Sequence, residues 1–242
     1  MRSPSSSPGV TRVTSAALVA RVVEVGESDL IVTLITERLG KASVSVRGGR
    51  KSSRRVGGSL EPIHTVEVDL EDRGGELMTL QESRVVRARA RLATSLRGLE
   101  CAGLALRWAR HLFPPRVAEV AGWQALVDLL DALDDNDVRA NQELARAGLR
   151  ILAAAGYELD LEGCVVCGRT CPEGKAAAVD PARGGLVCHD CGGARSVLTG
   201  AVRGAARELI EGRTARVMAS DADAVVALVR EAMACHGGFE GP

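Results

Sequence analysis

The stretch from Ala17 to Thr36, ALVARVVEVGESDLIVTLIT, contains two runs rich in Val, Ile, Leu and Thr on either side of Gly26. Runs of this composition and length are typical of β-strands. Glycine suits the turn between them, because it adopts positive φ angles without steric cost. The stretch therefore predicts two consecutive strands, Ala17–Val25 and Leu30–Thr36.

Three further strands are predicted on the C-terminal side of this stretch, at Ala42–Arg47, Pro62–Leu70 and Glu76–Gln81. Apolar and polar residues alternate in Val44-Ser45-Val46 and from Thr65 to Leu70, as expected of half-buried strands. Glycines recur between the runs and indicate turns. Five short strands with glycine turns fit a small closed barrel of the OB type, although an SH3-like barrel would give the same pattern.

After Ser83 the apolar residues recur with helical spacing instead. Three stripes predict three helices: Leu99, Ala102, Gly103, Leu106 and Arg110; Trp123, Leu126, Val127, Leu130 and Leu133; Leu144, Ala147, Ile151, Leu152 and Ala155. Gly156 is the predicted C′ residue of the third helix. Thr199 is the predicted cap of a fourth helix, and Asp221 or Asp223 that of a fifth.

These patterns predict an α+β protein in three parts. Residues 1–15 are expected to form a disordered extension, and residues 16–82 a five-stranded β-barrel of the OB type. Residues 83–242 are expected to form an all-helical domain with a cysteine-rich insert at residues 162–195.

Four of the seven cysteines form two Cys-x-x-Cys pairs, Cys164/Cys167 and Cys188/Cys191, each followed by glycine. This spacing is typical of a tetrahedral Zn²⁺ site with four thiolate ligands. Because protein fills all four positions, the predicted ion is structural. A redox-active pair or two disulfides are the alternatives, and Cys171 or His189 is a conceivable substitute for one thiolate.

Basic residues are concentrated in two runs that contain no acidic residue. The first run consists of Arg38, Lys41, Arg47, Arg50, Lys51, Arg54 and Arg55, and the second of Arg84, Arg87, Arg89, Arg91 and Arg97. Such runs predict a surface that binds the phosphates of nucleic acid, although a solvated loop has the same composition. The first aromatic residue is Trp108, so the barrel cannot stack bases on aromatic rings. We therefore expect weak sequence preference and strong salt dependence.

The composition excludes several classes of protein. The 242 residues include 46% hydrophobic residues, enough for a core, and contain no apolar run of the roughly 18 residues needed to span a membrane. Met1–Gly9 does not resemble a secretory signal, so we expect a cytoplasmic protein. Nucleotide-binding loops and catalytic constellations are also absent from the sequence, which predicts a non-enzymatic protein without a nucleotide cofactor. An acidic stretch from Glu119 to Asp137 is expected to face solvent or a protein partner.

An ordered series of motifs resembles the bacterial RecO family of recombination mediators. The series comprises Ala17-Leu18-Val19, Gly26-Glu27-Ser28-Asp29, Gly40-Lys41, Val46–Arg50, Gly57–Pro62, Gly75-Glu76-Leu77, Gly156–Asp160, Cys164–Gly168 and Gly184–Cys188. The resemblance covers nearly all of residues 16–235. Val25 stands where members of the family usually carry an aromatic residue, and the basic tail of many members is absent from this C-terminus.

The resemblance implies an OB-fold domain followed by a helical domain with a zinc-binding insert. It implies binding of single- and double-stranded DNA and annealing of complementary strands. It also implies partnership with RecR, contact with the acidic C-terminal tail of the single-strand-binding protein, and assistance in placing RecA on DNA in the nucleoid. An RNA-binding zinc-ribbon regulator and a zinc-stapled adaptor remain the alternatives.

Overall fold

The computed structural model describes residues 10–49 and 60–238. The chain divides into two compact units. The first consists of residues up to Ala88 together with Pro114–Ala118, and the second of Arg89–Phe113 and the residues from Glu119 onward.

The first unit is a closed five-stranded barrel in which the strands are neighbours in the order β1-β2-β3-β5-β4. The strands are β1 (Thr11–Val25), β2 (Asp29–Thr36), β3 (Gly40–Val46), β4 (Thr65–Asp72) and β5 (Met78–Arg87). Every pairing is antiparallel except β3 with β5, which pair in parallel over two residues of each strand. This connectivity matches a five-stranded OB-type barrel, as predicted.

Strict alternation of side chains explains why these segments form a barrel. In β3, Ala42, Val44 and Val46 are buried, while the residues between them are half-buried. All five strands contribute to one core of small and aliphatic side chains: Ala17, Val19, Leu30, Val32, Leu34, Ala42, Val44, Val46, Val66, Val68, Leu70, Met78 and Leu80.

The strands differ from the sequence predictions at their ends. Residues 11–15, expected to be disordered, form the start of β1 because they pair with β4, with Thr11 opposite Asp72. Residues 1–9 lie outside the described residues. β4 begins at Thr65 rather than at Pro62, in keeping with the missing N–H of proline. β5 continues to Arg87 because its last residues pair with the start of β4.

The second unit is built on five helices: α1 (Leu96–Leu112), α2 (Val120–Asp135), α3 (Ala140–Ala154), α4 (Gly200–Ile210) and α5 (Ala219–Gly237). The predicted stripes of the second and third helices are largely buried. The stripe predicted for the first helix is only partly correct, because Ala102 and Leu106 are buried but Leu99 and Gly103 are exposed. Leu99 is 37% exposed, whereas Ala105, Trp108 and Ala109 are buried. None of the helices among the described residues is long and apolar enough to cross a membrane.

The ends of the helices follow capping chemistry. Gly156 has φ +83°, and its N–H donates to the Ala153 carbonyl, while the N–H of Tyr157 donates to the Leu152 carbonyl. This pair of bonds is a Schellman motif, as expected of glycine at C′. The Thr199 hydroxyl accepts from the Val202 N–H and caps α4 as predicted. The predicted Asp caps of α5 are wrong, because that helix begins at Ala219 after Met218.

An insert of small strands separates α3 from α4. Its strands are β6 (Asp160–Cys164), β7 (Ala177–Asp180), β8 (Gly185–Leu186) and β9 (Ser196–Leu198), in the sheet order β6-β8-β7-β9. Strands of two to five residues bury little apolar surface, so this sheet needs another source of stability.

Candidate metal centre and nucleic-acid interface

The first Cys-x-x-Cys pair forms a tight turn at the end of β6. The N–H of Gly168 donates to the Cys164 carbonyl over 2.8 Å, and the N–H of Cys164 donates to the Arg169 carbonyl over 2.9 Å. Gly168 has φ +73°, which a side chain with a Cβ rarely adopts. The glycine after the second cysteine is therefore needed to close the turn.

The second pair forms an equivalent turn after β8. The N–H groups of Cys191 and Gly193 both donate to the Cys188 carbonyl over 3.0 Å. Gly192 has φ +99°. An ion pair of 2.6 Å between Arg169 and Asp190 joins the two turns on their solvent side.

The two turns bring four thiols together, as the spacing of the cysteines predicts. The Sγ atoms of Cys164, Cys167, Cys188 and Cys191 all lie within 4.8 Å of one another, and those of Cys167 and Cys188 are 3.7 Å apart. A tetrahedron with Zn–S bonds of about 2.3 Å has sulfur atoms about 3.8 Å apart. All seven cysteines, which lie within the described part of the chain, are free of disulfides. The four thiols therefore fit a metal ion.

The electrostatics of this cluster favour a cation at its centre. The backbone N–H of Cys188 donates to the Cys164 sulfur over 3.3 Å, and with the N–H of Cys167 it lowers the pKa of that thiol to about 6. Hydrogen bonding to the sulfurs of Cys188 and Cys167 instead raises the pKa of Cys191 to about 12. One thiolate is thus stabilised by amides, and a divalent cation would favour ionisation of the rest.

The two other residues considered as ligands lie apart from the cluster. The side chain of His189 is fully exposed and faces Asp190. The Cys171 sulfur accepts a hydrogen bond from the Arg203 guanidinium over 3.0 Å. Among the described residues, the metal-binding group contains neither of them.

A buried arginine in α4 holds the insert, and sequence reasoning missed it. Arg203 is only 9% exposed, and its guanidinium donates to the carbonyl oxygens of Leu161, Cys171, Pro172 and Lys175 over 2.8–3.1 Å. These carbonyls belong to β6 and to the segment that follows it, so one side chain of α4 holds several turns of the insert. The sequence signal was weak, since it consisted only of an arginine on the buried face of a helix capped by Thr199.

The first basic run divides between the two ends of β3. Arg38 is exposed in the β2–β3 turn, and its guanidinium donates to the Thr14 carbonyl. Lys41 is half-buried at the start of β3, and Arg47 is exposed just after its end. β3 separates these cations by about 20 Å. The remaining members, Arg50, Lys51, Arg54 and Arg55, lie outside the described residues.

Arg84 and Arg87, from the second run, both lie on β5 of the barrel. Arg84 is ion-paired with Glu67 on the adjacent strand over 2.6 Å, so part of its charge is compensated. Arg87 is exposed at the end of β5, opposite Thr65.

The prediction that Arg89 binds DNA is wrong. Its side chain is 0% exposed and lies 2.6 Å from Asp131 of α2, so no phosphate can reach it. Arg91 is exposed, but its guanidinium donates to the Asp135 carbonyl, and its N–H donates to the Asp134 carboxylate. The second run therefore supplies fewer available cations than its sequence suggests.

The acidic stretch from Glu119 to Asp137 mostly forms ion pairs and hydrogen bonds with other residues of the chain. Asp128 accepts from Arg150 over 2.5 Å, and hydrogen bonds from Arg150 and Gln124 outweigh its burial and lower its pKa. Asp137 accepts from the Ser95 hydroxyl next to the start of α1. The expectation that this stretch faces only solvent or a partner is thus wrong for these residues.

Comparisons with known proteins agree with this architecture. The family models described as Recombination protein O N terminal and Recombination protein O C terminal match residues 10–89 and 94–238. The DNA repair protein RecO of Anaeromyxobacter sp. strain K is 38% identical over 181 residues, which cover 74% of this chain and 70% of that protein. The DNA repair proteins RecO of Geobacter sulfurreducens and Myxococcus xanthus are 34% and 32% identical, and each match covers 73% of this chain and 71% of the relative.

The two family matches follow one another along the chain, and their junction lies where β5 gives way to the helical unit. The chain belongs to the RecO family of DNA repair proteins.

Proposed function

We propose that this protein is a recombination mediator that binds single- and double-stranded DNA through the cationic exterior of its barrel. It anneals complementary strands and, together with RecR, helps to load RecA on DNA coated by the single-strand-binding protein. Membership of the RecO family carries this proposal, because the relatives are named as DNA repair proteins. The exposed cations Arg38, Arg47 and Arg87 on the barrel provide its chemistry.

The mechanism follows from a barrel without aromatic residues. The first aromatic residue is Trp108, so bases gain no aromatic stacking on the strands of the barrel, and affinity comes from phosphates neutralised by Arg and Lys. Such contacts do not read sequence. A cationic surface that binds any sequence can screen the repulsion between the phosphates of two strands while their complementary bases pair.

The metal assigned to the four cysteines is one Zn²⁺ ion. Soft thiolate ligands in a tetrahedral set favour zinc, and a site filled by four protein ligands leaves no water to activate. The ion would supply folding energy to the insert, and the proposal includes no catalytic step.

The partners in this proposal are the two forms of DNA, RecR, the acidic tail of the single-strand-binding protein and, indirectly, RecA. A protein with these partners works at the nucleoid in the cytoplasm.

Strand annealing between complementary labelled oligonucleotides, measured by fluorescence at two salt concentrations without ATP, tests the proposal. We expect annealing at low salt that weakens steeply at high salt. Absence of annealing at low salt would contradict it. Preference for RNA over DNA of the same sequence would instead support the RNA-binding alternative, because only the 2′-hydroxyl distinguishes the two backbones.

A further inference from the structure

A short segment that is distant in sequence from the five strands belongs to the same compact unit as the barrel. Pro114–Ala118, here called the strap, follows the 25 residues Arg89–Phe113 of the helical unit, yet it clusters with the barrel. Pro115 pairs in parallel with Lys41 at the start of β3. The N–H of Arg116 donates to the Lys41 carbonyl over 2.8 Å.

The strap lies where the pairing between strands is short. β3 and β5 pair only through Val44 with Met78 and Ser45 with Thr79. Beyond this pairing, the Arg116 guanidinium donates to Asp72 over 2.9 Å and to the Gly75 carbonyl over 2.5 Å. The strap therefore ties the start of β3 to the β4–β5 turn.

Close approach and backbone strain both mark this contact. A Cβ on Gly40 would lie 1.6 Å from the Val117 carbonyl oxygen, so only glycine fits beneath the strap. Arg116 has φ +60°, and among the described residues it is the sole non-glycine residue with positive φ. A residue persists in this conformation only where its surroundings hold it there.

The strap contacts the end of the β2–β3 turn, which carries Arg38 and leads into Lys41. Within the turn, the Thr36 hydroxyl donates to the Gly40 carbonyl and accepts from the Leu39 N–H, both over 2.9 Å. The N–H of Arg38 donates to the Ser15 hydroxyl over 3.2 Å. The β2–β3 turn is thus held both by the strap and by these hydrogen bonds.

We propose that the strap is a positioning element for DNA binding, in which Arg116, anchored to Asp72 and Gly75, holds the cationic β2–β3 turn in the conformation that meets phosphates. This inference rests on the proposed binding of DNA by the barrel. It assigns to the linker between α1 and α2 a role in the DNA-binding unit.

The charge of Asp72 allows a test in which electrostatics and positioning predict opposite results. In Asp72→Asn, Oδ1 still accepts from the Gly74 N–H, as it does over 2.8 Å in the native turn, but the carboxylate that accepts from Arg116 is lost. Removing a negative charge should by itself strengthen binding of a polyanion. Release of the strap should weaken it. Glu76→Gln is the matched control, since it removes the same charge from an exposed residue of the same turn.

The experiment measures the affinity of the full-length variants for a single-stranded oligonucleotide by fluorescence anisotropy, and hydrogen exchange in residues 36–43. If two phosphate contacts are lost, Asp72→Asn should bind about tenfold more weakly near 0.1 M salt, whereas Glu76→Gln should bind as well as or better than wild type. Exchange in residues 36–43 should be faster in Asp72→Asn alone. Equal affinity of Asp72→Asn and Glu76→Gln would overturn the positioning role. Failure of the wild type to bind DNA would instead overturn the proposed function itself.

A glycine pair provides a second arm if Asp72→Asn does not fold. Gly40→Ala and Gly26→Ala impose the same strain, with φ +65° and +60°, but only the first brings a Cβ against the strap. Weaker DNA binding confined to Gly40→Ala would support the inference. Equal losses in both variants would contradict it.

Discussion

The barrel and the cysteine-rich insert are both small β-structures, but they are held together in different ways. The barrel closes on itself around thirteen buried side chains of Ala, Val, Leu and Met. The insert has strands of two to five residues, and it depends on four clustered thiols and on one arginine from α4. The barrel is thus formed mainly by burial of apolar side chains, whereas the insert uses its polar chemistry to fold.

The largest expected effect is the loss of the insert when one ligand is removed. Structural zinc sites carry apparent binding free energies of about 10–16 kcal/mol, so Cys164→Ser should release the metal and unfold the insert. Metal content and hydrogen exchange in residues 160–198 measure this, while exchange in the barrel should stay at its wild-type level. Cys235→Ser, at an exposed cysteine outside the cluster, is the control. Retention of stoichiometric zinc by Cys164→Ser would contradict the assignment of ligands.

A substitution in the barrel core should destabilise the barrel and leave the metal content of the insert unchanged. Leu34 is 0% exposed, so Leu34→Ala should destabilise the barrel by about 2–5 kcal/mol through lost burial and a cavity. Thr33→Ala on the same strand should cost no more than about 1 kcal/mol. Chemical denaturation and zinc content provide the two measurements. Loss of zinc in Leu34→Ala would show that the two regions do not fold independently.

Replacement of the buried arginine should loosen the insert without removing its metal. Arg203→Met leaves four carbonyls without their charged donor, and hydrogen bonds to charged groups contribute about 1.5–3 kcal/mol each, so we expect a loss of at least about 2 kcal/mol. The readout is hydrogen exchange in residues 170–176. Arg207→Met removes an exposed arginine from the same helix and should have a much smaller effect, because solvent screens its ion pair with Glu173. Equal effects of the two changes would argue against a special role for Arg203.

The smallest expected effect concerns the exterior of the barrel. Glu67→Gln breaks the ion pair with Arg84 and frees that guanidinium for phosphate, so DNA affinity should rise about two- to fivefold at moderate salt. Glu82→Gln removes an exposed acid from β5 and serves as the control for charge alone. Anisotropy titrations compare the two. An unchanged affinity in Glu67→Gln would place Arg84 outside the DNA-binding surface.

Local patterns predicted the barrel and the thiol cluster because each is decided by residues close in sequence. Alternation in β3 and the Cys-x-x-Cys-Gly spacing are examples. The pairing of Arg89 with Asp131 joins residues 42 positions apart, and no local pattern indicates it. The strap was not predicted for the same reason, because its Pro115 pairs with the distant Lys41.

The buried face of α1 was predicted only in part because small residues make much of it. Ala102, Ala105 and Ala109 allow close packing, whereas Leu99, which weighs more on any hydrophobicity scale, remains 37% exposed. Gly148 of α3 fits the same pattern, since a Cβ there would lie 2.9 Å from Trp108. Close helix packing depends on the partner helix, and a single helix sequence does not contain that information.

The salt dependence of single-stranded DNA binding, measured with and without the metal, tests most directly whether the barrel exterior binds DNA while the insert only supports the fold. If about six phosphates are neutralised, log K should fall with log salt at a slope near −4. We predict the same slope for the native protein and for the metal-free Cys164→Ser variant. A slope near zero in the native protein, or a slope that collapses with loss of the metal in a protein whose barrel remains folded, would contradict this division between the two regions.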